Sequence, residues 1–380
     1  MRFRIPSMRR VAVVASALAL SGGLAACGSD DDSGTSASSS GGGGGETKTL
    51  KFGYHTGEQT PIGQVWAWWM DEVEKRSNGS IKFDRFWDGT LVKGTDMIES
   101  LNDGRVDVTQ VMPTLFTQQF PVTAVGELPF ETSNSPALSE TMREISNADG
   151  PLRDEWSAQK LVPLGWAIGS SSALTTKEPV QTVADLKGKR IRGNDRQSRV
   201  MKAAGANVIN MELAEVYGSL QRGLINGVYG VPFGFIGPLK YAEVANNFTD
   251  TGMGAASVNA LAVSEKLWGE LSDDQKKVIE EVNLEVPAKV GEMDAKFDAL
   301  SCDAVKAEDG KLFVFNDAEI EKLKAAGYQG VLDEWKKNLA DKDVDADTFH
   351  TDYQAKLKAA EGKFPDYRTG VASCAETLAR

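Results

Sequence analysis

Most hydrolytic and metal-dependent chemistry runs through histidine, cysteine and clustered carboxylates, and in this sequence those residues are few or badly spaced. There are two histidines, His55 and His350, far apart in the 380 residues. No G-x-S-x-G elbow, H-E-x-x-H zinc helix or P-loop is present, which leaves little for a histidine triad or a metal cluster. Asp341, Asp343, Asp345 and Asp347 alternate like the start of a calcium loop. Ala346, however, stands where such a loop needs glycine, and Asp352 where it needs a bidentate glutamate, so a solvated loop is expected. A carboxylate pair of the glycosidase kind can be assembled by a fold without any local motif, and nothing in the sequence supports one. Neither catalysis, a metal nor a cofactor is expected.

The three cysteines carry chemistry of another kind. Arg2, Arg4, Arg9 and Arg10 precede an apolar run, Val11 to Leu20, of about ten residues, too short for a membrane span of about twenty. This is the pattern of a signal peptide over residues 1–26. Leu24-Ala25-Ala26-Cys27 resembles a lipobox, so Cys27 is expected to be acylated and to anchor the mature chain to a membrane from outside the cytoplasm. Residues 27–46 are rich in Gly, Ser and Asp and read as a disordered tether. Cys302 and Cys374 then remain in an oxidising compartment, where a bridge between them is expected, contributing about 4 kcal/mol in the chain-entropy model. The spacing is not C-x-x-C, so no redox role is implied. The formal charge is −12, and without the four leading arginines 38 basic residues face 54 acidic ones, a net −16. Such a balance argues against nucleic acid or anionic lipid as a partner and says nothing against a small anion, because a local arginine dominates a cleft.

The elements that would position a site alternate between strand and helix. Leu50 to Tyr54 and Ile81 to Trp87 read as strands around a helix from Ile62 to Arg76, with Trp66, Trp69, Met70 and Val73 on one face. Thr95 to Leu101 reads as a short helix, and Val106 to Met112 as an alternating strand. The pattern recurs with strands at Leu161 to Trp166, Ser171 to Thr176 and Lys189 to Arg192. A helix from Asp195 to Ala204 follows, then a strand from Val208 to Met211. A helix from Leu213 to Gln221 comes next, whose Val216, Leu220 and Leu224 share a face. Beyond Ser264 the chain is mostly amphipathic helix, with an N-cap at Ser272 and a break or kink at Pro287. Two α/β lobes with parallel pairing are implied.

One stretch is more specific. Asp185-Leu186-Lys187-Gly188-Lys189-Arg190-Ile191-Arg192, Gly205-Ala206, Met211, Glu215-Val216-Tyr217, Leu220-Gln221, Gly223 and Asn226-Gly227 resemble, in order and spacing, the DctP-like solute-binding proteins of tripartite ATP-independent periplasmic (TRAP) transporters. Residues 73–82, Gly89, Leu91, Gly104, Val106-Asp107-Val108, Leu128-Pro129-Phe130 and 264–271 are similar to its other segments. The resemblance implies a periplasmic-binding-protein-like α/β fold with crossing strands and a long domain-spanning helix. Lobe I would take 47–170 plus about 256–295, and lobe II 171–255 plus about 296–380 with the C-terminal helices. It implies no enzyme but a protein that closes on a small carboxylate and delivers it to membrane permease subunits.

On the same ground Arg192, at the end of the K-I-R strand, is the residue expected to grip the ligand carboxylate, where a planar guanidinium matches two oxygens. Gly230 stands where many members carry a ligand-binding asparagine, Arg192-Gly193-Asn194 replaces the usual R-V-P, and serines replace a second arginine near 171–176. Tyr54, Trp166, Tyr229 and Phe233 lie near predicted strand ends, placed to stack on a bulkier or more apolar acid or else to fill the core. Arg190 is expected in a solvated role, and Arg196 and Arg199 at exposed helix positions, with one of the two reaching the cleft as the alternative. An extracytoplasmic receptor sensing the same ligand, and more remotely a hydrolase, remain as alternatives.

Overall fold

The computed structural model describes residues 47–193 and 196–379, with Ala256 by its backbone alone. The signal peptide, the Cys27 anchor and the tether lie outside the described residues. Strand β1 (Lys48–Gly53) leads to helix α1 (Pro61–Arg76) and strand β2 (Ile81–Phe86). Thr60 caps α1, its hydroxyl oxygen accepting the Gly63 N–H at 3.1 Å, and Pro61 sits in the first turn where no donor is needed. The face carrying Trp66, Trp69, Met70 and Val73 is fully buried. Each buried indole also finds an acceptor: Trp66 donates to Gln110 Oε1 (2.7 Å) and Trp69 to Asn283 Oδ1 (2.8 Å). After α2 (Met97–Asn102) comes β3 (Val108–Val111), and β1 pairs in parallel with both β2 and β3.

Helices α3 (Ser135–Asn147) and α4 (Pro151–Ala158) then deliver the chain to β4 (Leu161–Ser171). The sequence suggests a break after Trp166, but β4 runs on unbroken for 11 residues. Its glycines are there for close approach: a Cβ on Gly169 would lie 2.5 Å from Ser257 Oγ. At Ser171 the chain leaves this sheet, and β5 (Leu174–Thr176) belongs to the next. There follow β6 (Arg190–Arg192), α5 (Arg196–Ala203), β7 (Asn207–Ile209), α6 (Leu213–Gln221), β8 (Gly227–Val228) and β9 (Asn247–Asp250). Val216 and Leu220 are buried as the periodicity of α6 demands, but Leu224 is 52% exposed. Gly223, at φ +68°, has already turned the chain off the helix axis.

With β10 (Ala255–Ser264) the chain crosses back and runs antiparallel between β3 and β4. Helices α7 (Glu265–Glu270), α8 (Asp273–Asn283) and α9 (Val286–Ala307) precede β11 (Lys311–Val314), and α10 (Asp317–Leu339), α11 (Ala346–Glu361) and α12 (Gly370–Leu378) close the chain. Ser272 and Gln275 form a reciprocal capping box at the start of α8, and Pro287 stands in the first turn of α9, so the expected kink is a junction between two helices. Among the described residues, two sheets result: β2-β1-β3-β10-β4 in lobe I and β11-β9-β5-β8-β6-β7 in lobe II. Residues 171–174 and 250–255 connect them.

Helix α9 packs on α1 and α3 of lobe I and on the 3₁₀ turn Phe233–Phe235 of lobe II, so it serves both. The C-terminal helices are likewise shared between lobes. Helix α10 packs on α5, α11 packs on α3, and Trp335 donates to the Pro121 carbonyl at 2.9 Å. The second histidine is structural, its Nε2 lying 3.0 Å from Glu131 Oε1. Cys302 and Cys374 are bonded, with Cα atoms 5.5 Å apart, holding α12 against α9. Asp345 caps α11 by accepting the Asp347 and Thr348 N–H groups. Among the described residues no helix is long and apolar enough to cross a membrane, and no three His, Cys, Asp or Glu side chains gather as a metal site.

Candidate ligand-binding cleft

In open α/β sheets, ligands meet the carboxyl ends of parallel strands, where loops diverge and backbone donors are uncovered. Here two such edges face each other. Tyr54, His55 and Thr56 follow β1, Gln110 and Met112 come from the end of β3, Arg192 ends β6, and Gly230 to Pro232 follow β8. Together with Leu115, Leu213, Phe235 and Asn259 they line a cleft of about 320 Å³. Two of the larger hollows are of another kind. One, about 770 Å³, lies wholly within lobe I between α3, α4, α7 and α8 and carries charges of both signs. The other, about 620 Å³, lies beside α9 and α12 around the disulfide.

Arg192 is only 5% exposed. Its Nε donates to the Met211 carbonyl at 3.0 Å and Nη1 reaches the Tyr229 carbonyl at 3.5 Å, while the main chains of Arg192 and Tyr229 are joined by the 2.8 Å Tyr229 N–H bond to the Arg192 carbonyl. An arginine so held presents its charge in one place, and a guanidinium cannot shed its proton to escape burial. Asn226, where the family pattern has an acidic residue, accepts from the Arg190 main chain (2.9 Å) and guanidinium (3.2 Å), fastening the exposed start of the same strand.

The opposite wall is neutral. Burial lowers the His55 pKa to about 4, so the imidazole carries no charge at neutral pH, and its Nδ1 is buried without a hydrogen-bond partner in the protein. Burial pushes the Tyr54 hydroxyl up to about 12, partly offset by Thr56, Thr60 and Gln110 beside it. A relay of amides forms the floor. Trp66 donates to Gln110 Oε1, Gln110 Nε2 to Asn259 Oδ1 (3.1 Å), and Asn259 Nδ2 to the Ala167 carbonyl (3.2 Å) and Ser257 Oγ (3.4 Å). These amides are largely spent on one another. Between the walls the surface is apolar: Ile62, Met112, Leu115, Leu213, Val231, Pro232 and Phe235.

Of the residues singled out from sequence, Arg192, Tyr54 and Gly230 meet at this cleft. Three do not, and their expected stacking role is corrected. Trp166 points from β4 into the core of lobe I, its ring 5.4 Å from Trp156 in an edge contact and its Nε1 bonded to Ser146 Oγ (2.9 Å). Tyr229 faces away from the cleft that its neighbour Gly230 lines, and its hydroxyl donates to Gln197 Oε1 at 2.8 Å. Phe233 turns inward at the start of its 3₁₀ turn to meet Phe248 edge-on, leaving Phe235 at the cleft. Arg196 is not exposed either: it is buried with its Nε 3.5 Å from Glu127 Oε2, an ion pair joining α5 to lobe I. Arg199 is exposed and paired with Glu334. Sequence reasoning missed His55, Gln110, Asn259 and Phe235. His55 follows one recognised strand and Gln110 lies near the end of another, and the end-of-strand rule would have found them.

The fold and cleft define a two-lobed binding protein. Residues 52–338 match the bacterial extracellular solute-binding proteins of family 7, and the chain belongs to that family, one of transport solute-binding proteins rather than enzymes. Among solved structures it is similar to a TRAP periplasmic solute binding protein of Desulfovibrio salexigens in an open complex (23% identity, 83% of this chain and 97% of that one, TM-score 0.77). A second is a TRAP solute binding protein of Rhodoferax ferrireducens with copurified benzoate (25%, 83% and 99%, TM-score 0.73). The 2,3-diketo-L-gulonate-binding periplasmic protein of Escherichia coli is 28% identical over 204 residues, 52% of this chain and 60% of that one.

Proposed function

We propose that this protein captures one small organic acid between its lobes, with Arg192 gripping the carboxylate, and hands it to the membrane subunits of a TRAP transporter while tethered through a lipid on Cys27. The observation that carries the reading is Arg192 itself: a buried cation, held by two carbonyls, lining a cleft whose other walls are apolar or neutral. A carboxylate there gains charge-assisted hydrogen bonds in a partly desolvated place, where they exceed neutral ones in strength. The benzoate and diketogulonate of the two relatives are both carboxylates, which supports an acid without choosing one.

Binding would close the lobes. A ligand touching Arg192 on one side and the β1 and β3 ends on the other favours the closed form by the contacts that only that form makes, and the permease would read that form. The connections at 171–174 and 250–255 and helix α9 are the elements that would bend. Mass spectrometry of small molecules released from the purified protein, followed by titration of the stripped protein with a carboxylate library under tryptophan fluorescence, tests this. A released acid and a saturable response are expected; no response to any carboxylate would overturn it. Palmitate labelling of Cys27 in cells, lost in Cys27→Ser, tests the anchor.

A further inference from the structure

This inference rests on the reading above and deepens it to a ligand class. From the sorted hydrogen-bonding groups of the cleft we infer that the ligand is a monocarboxylate with a flat apolar body, an aromatic acid, bearing a hydroxyl away from its carboxylate that hydrogen-bonds to His55. Arg192 is the one cation among the described lining residues, so one negative charge is matched. A second carboxylate would lie against a neutral imidazole and aliphatic side chains, where an unpaired charge is costly. The several hydroxyls of a sugar acid would need several partners, yet Gln110 and Asn259 bind each other, Trp66 and the Ala167 carbonyl, and the Thr60 oxygen is engaged by the Gly63 N–H and the Gly57 carbonyl.

Beside the hydroxyls of Thr114 and of Thr56, the latter buried without a protein hydrogen-bond partner, what remains is His55. Its Nδ1 is buried and meets no protein group, whereas buried polar atoms in native proteins are nearly always paired. A phenolic hydroxyl donates and accepts, so it pairs with either tautomer of a neutral imidazole. The ring of such a ligand suits walls made of Ile62, Met112, Leu115, Val231, Pro232 and Phe235.

The test is isothermal titration of the full mature protein with benzoate, its three monohydroxy isomers, succinate and gluconate. At least one of the meta and para isomers is expected to bind roughly three- to tenfold tighter than benzoate, the gain of one net hydrogen bond. The ortho isomer, whose hydroxyl bonds to its own carboxylate, should behave like benzoate. His55→Phe, or His55→Leu should the first variant not fold, should erase the preference for the hydroxy acid, bringing its affinity to about that variant's own affinity for benzoate. The inference is overturned if no hydroxy isomer exceeds benzoate, if the preference survives both His55 variants, or if succinate or gluconate binds tighter than every aromatic acid. Those last outcomes leave the organic-acid reading standing. Failure of all six probes and of the wider carboxylate library overturns both together.

Discussion

The two walls of the cleft are built in opposite ways. The lobe II wall is a strand end: Arg192 is bonded through its side chain to two carbonyls and through its main chain to β8. Behind it, the Tyr229 hydroxyl meets Gln197, whose amide nitrogen donates to the carbonyls of Met253, Gly254 and Ala255 (3.2, 3.4 and 2.8 Å) at the crossing between lobes. The lobe I wall is a loop just past β1, where His55 leans edge-on against Tyr54 with ring centroids 4.9 Å apart and leaves Nδ1 without a protein partner. A charge contact tolerates little misplacement, and this cation is built on regular structure tied to the crossing between lobes. On the proposed reading, discrimination among acids falls to side chains that are exchanged without disturbing a sheet.

The sharpest way to break this contrast is Arg192→Lys. Lysine keeps the charge but loses the planar fork and the hold of the Met211 and Tyr229 carbonyls, so affinity for every carboxylate should fall roughly 10- to 100-fold, measured by calorimetry. Equal affinity in the variant would remove the lobe II wall from the site. Tyr229→Phe deletes one hydroxyl and strands the Gln197 oxygen. It should cost about 1–2 kcal/mol in urea unfolding and lower the affinity for all acids by less than the arginine change, leaving their rank order alone. A change of rank order would mean that the positioning wall also discriminates.

The smallest effect tests the neutral wall. Unfolded, His55 binds its proton near pH 6.5, and folded near 4. Between those values the unfolded chain holds more protons, so this group's contribution is complete above pH 6.5 and is lost as pH falls towards and through 4. Asp294 and Glu155, both pushed up to about 7 by burial, act in the other direction: their contribution is present at low pH and lost as pH rises through 7. The difference between wild type and His55→Gln in urea unfolding from pH 4 to 7 isolates the histidine. The wild type should gain on the variant as pH rises, and a flat difference would show that His55 is not desolvated. Binding of a monocarboxylate should be insensitive to pH from about 5.5 to 8, since neither His55 nor Arg192 titrates there.

Helix α6 shows how much of the fold was readable. Its observed bounds, Leu213 to Gln221, coincide with those read from periodicity and from the turn at Gly223, because a turn signal and a repeat of apolar positions are local facts. Strand β4 shows the limit. Its glycines and serines read as a break, and their burial follows from Ser257 and Trp66, which come near only after folding. The same limit applies to the aromatics. Tyr54, Trp166, Tyr229 and Phe233 were alike on paper, each near a strand end, and only the first lines the cleft. A one-residue step on a strand reverses a side chain's face, and strand ends are the least certain feature of any pattern.

By itself, then, the sequence determined the alternation of elements, the two α/β lobes, the lack of catalytic motifs and Arg192 as the residue to watch, since each depends on spacing along the chain. Tertiary structure alone decided that the ends of β1 and β3 face the end of β6 and that Gln110 and Asn259 spend their hydrogen bonds on each other. It also left His55 at the cleft wall with a nitrogen unpaired by protein. Contacts between residues some 50 to 150 positions apart leave no periodic trace, and what a cleft selects depends on which of its polar groups such contacts have already used.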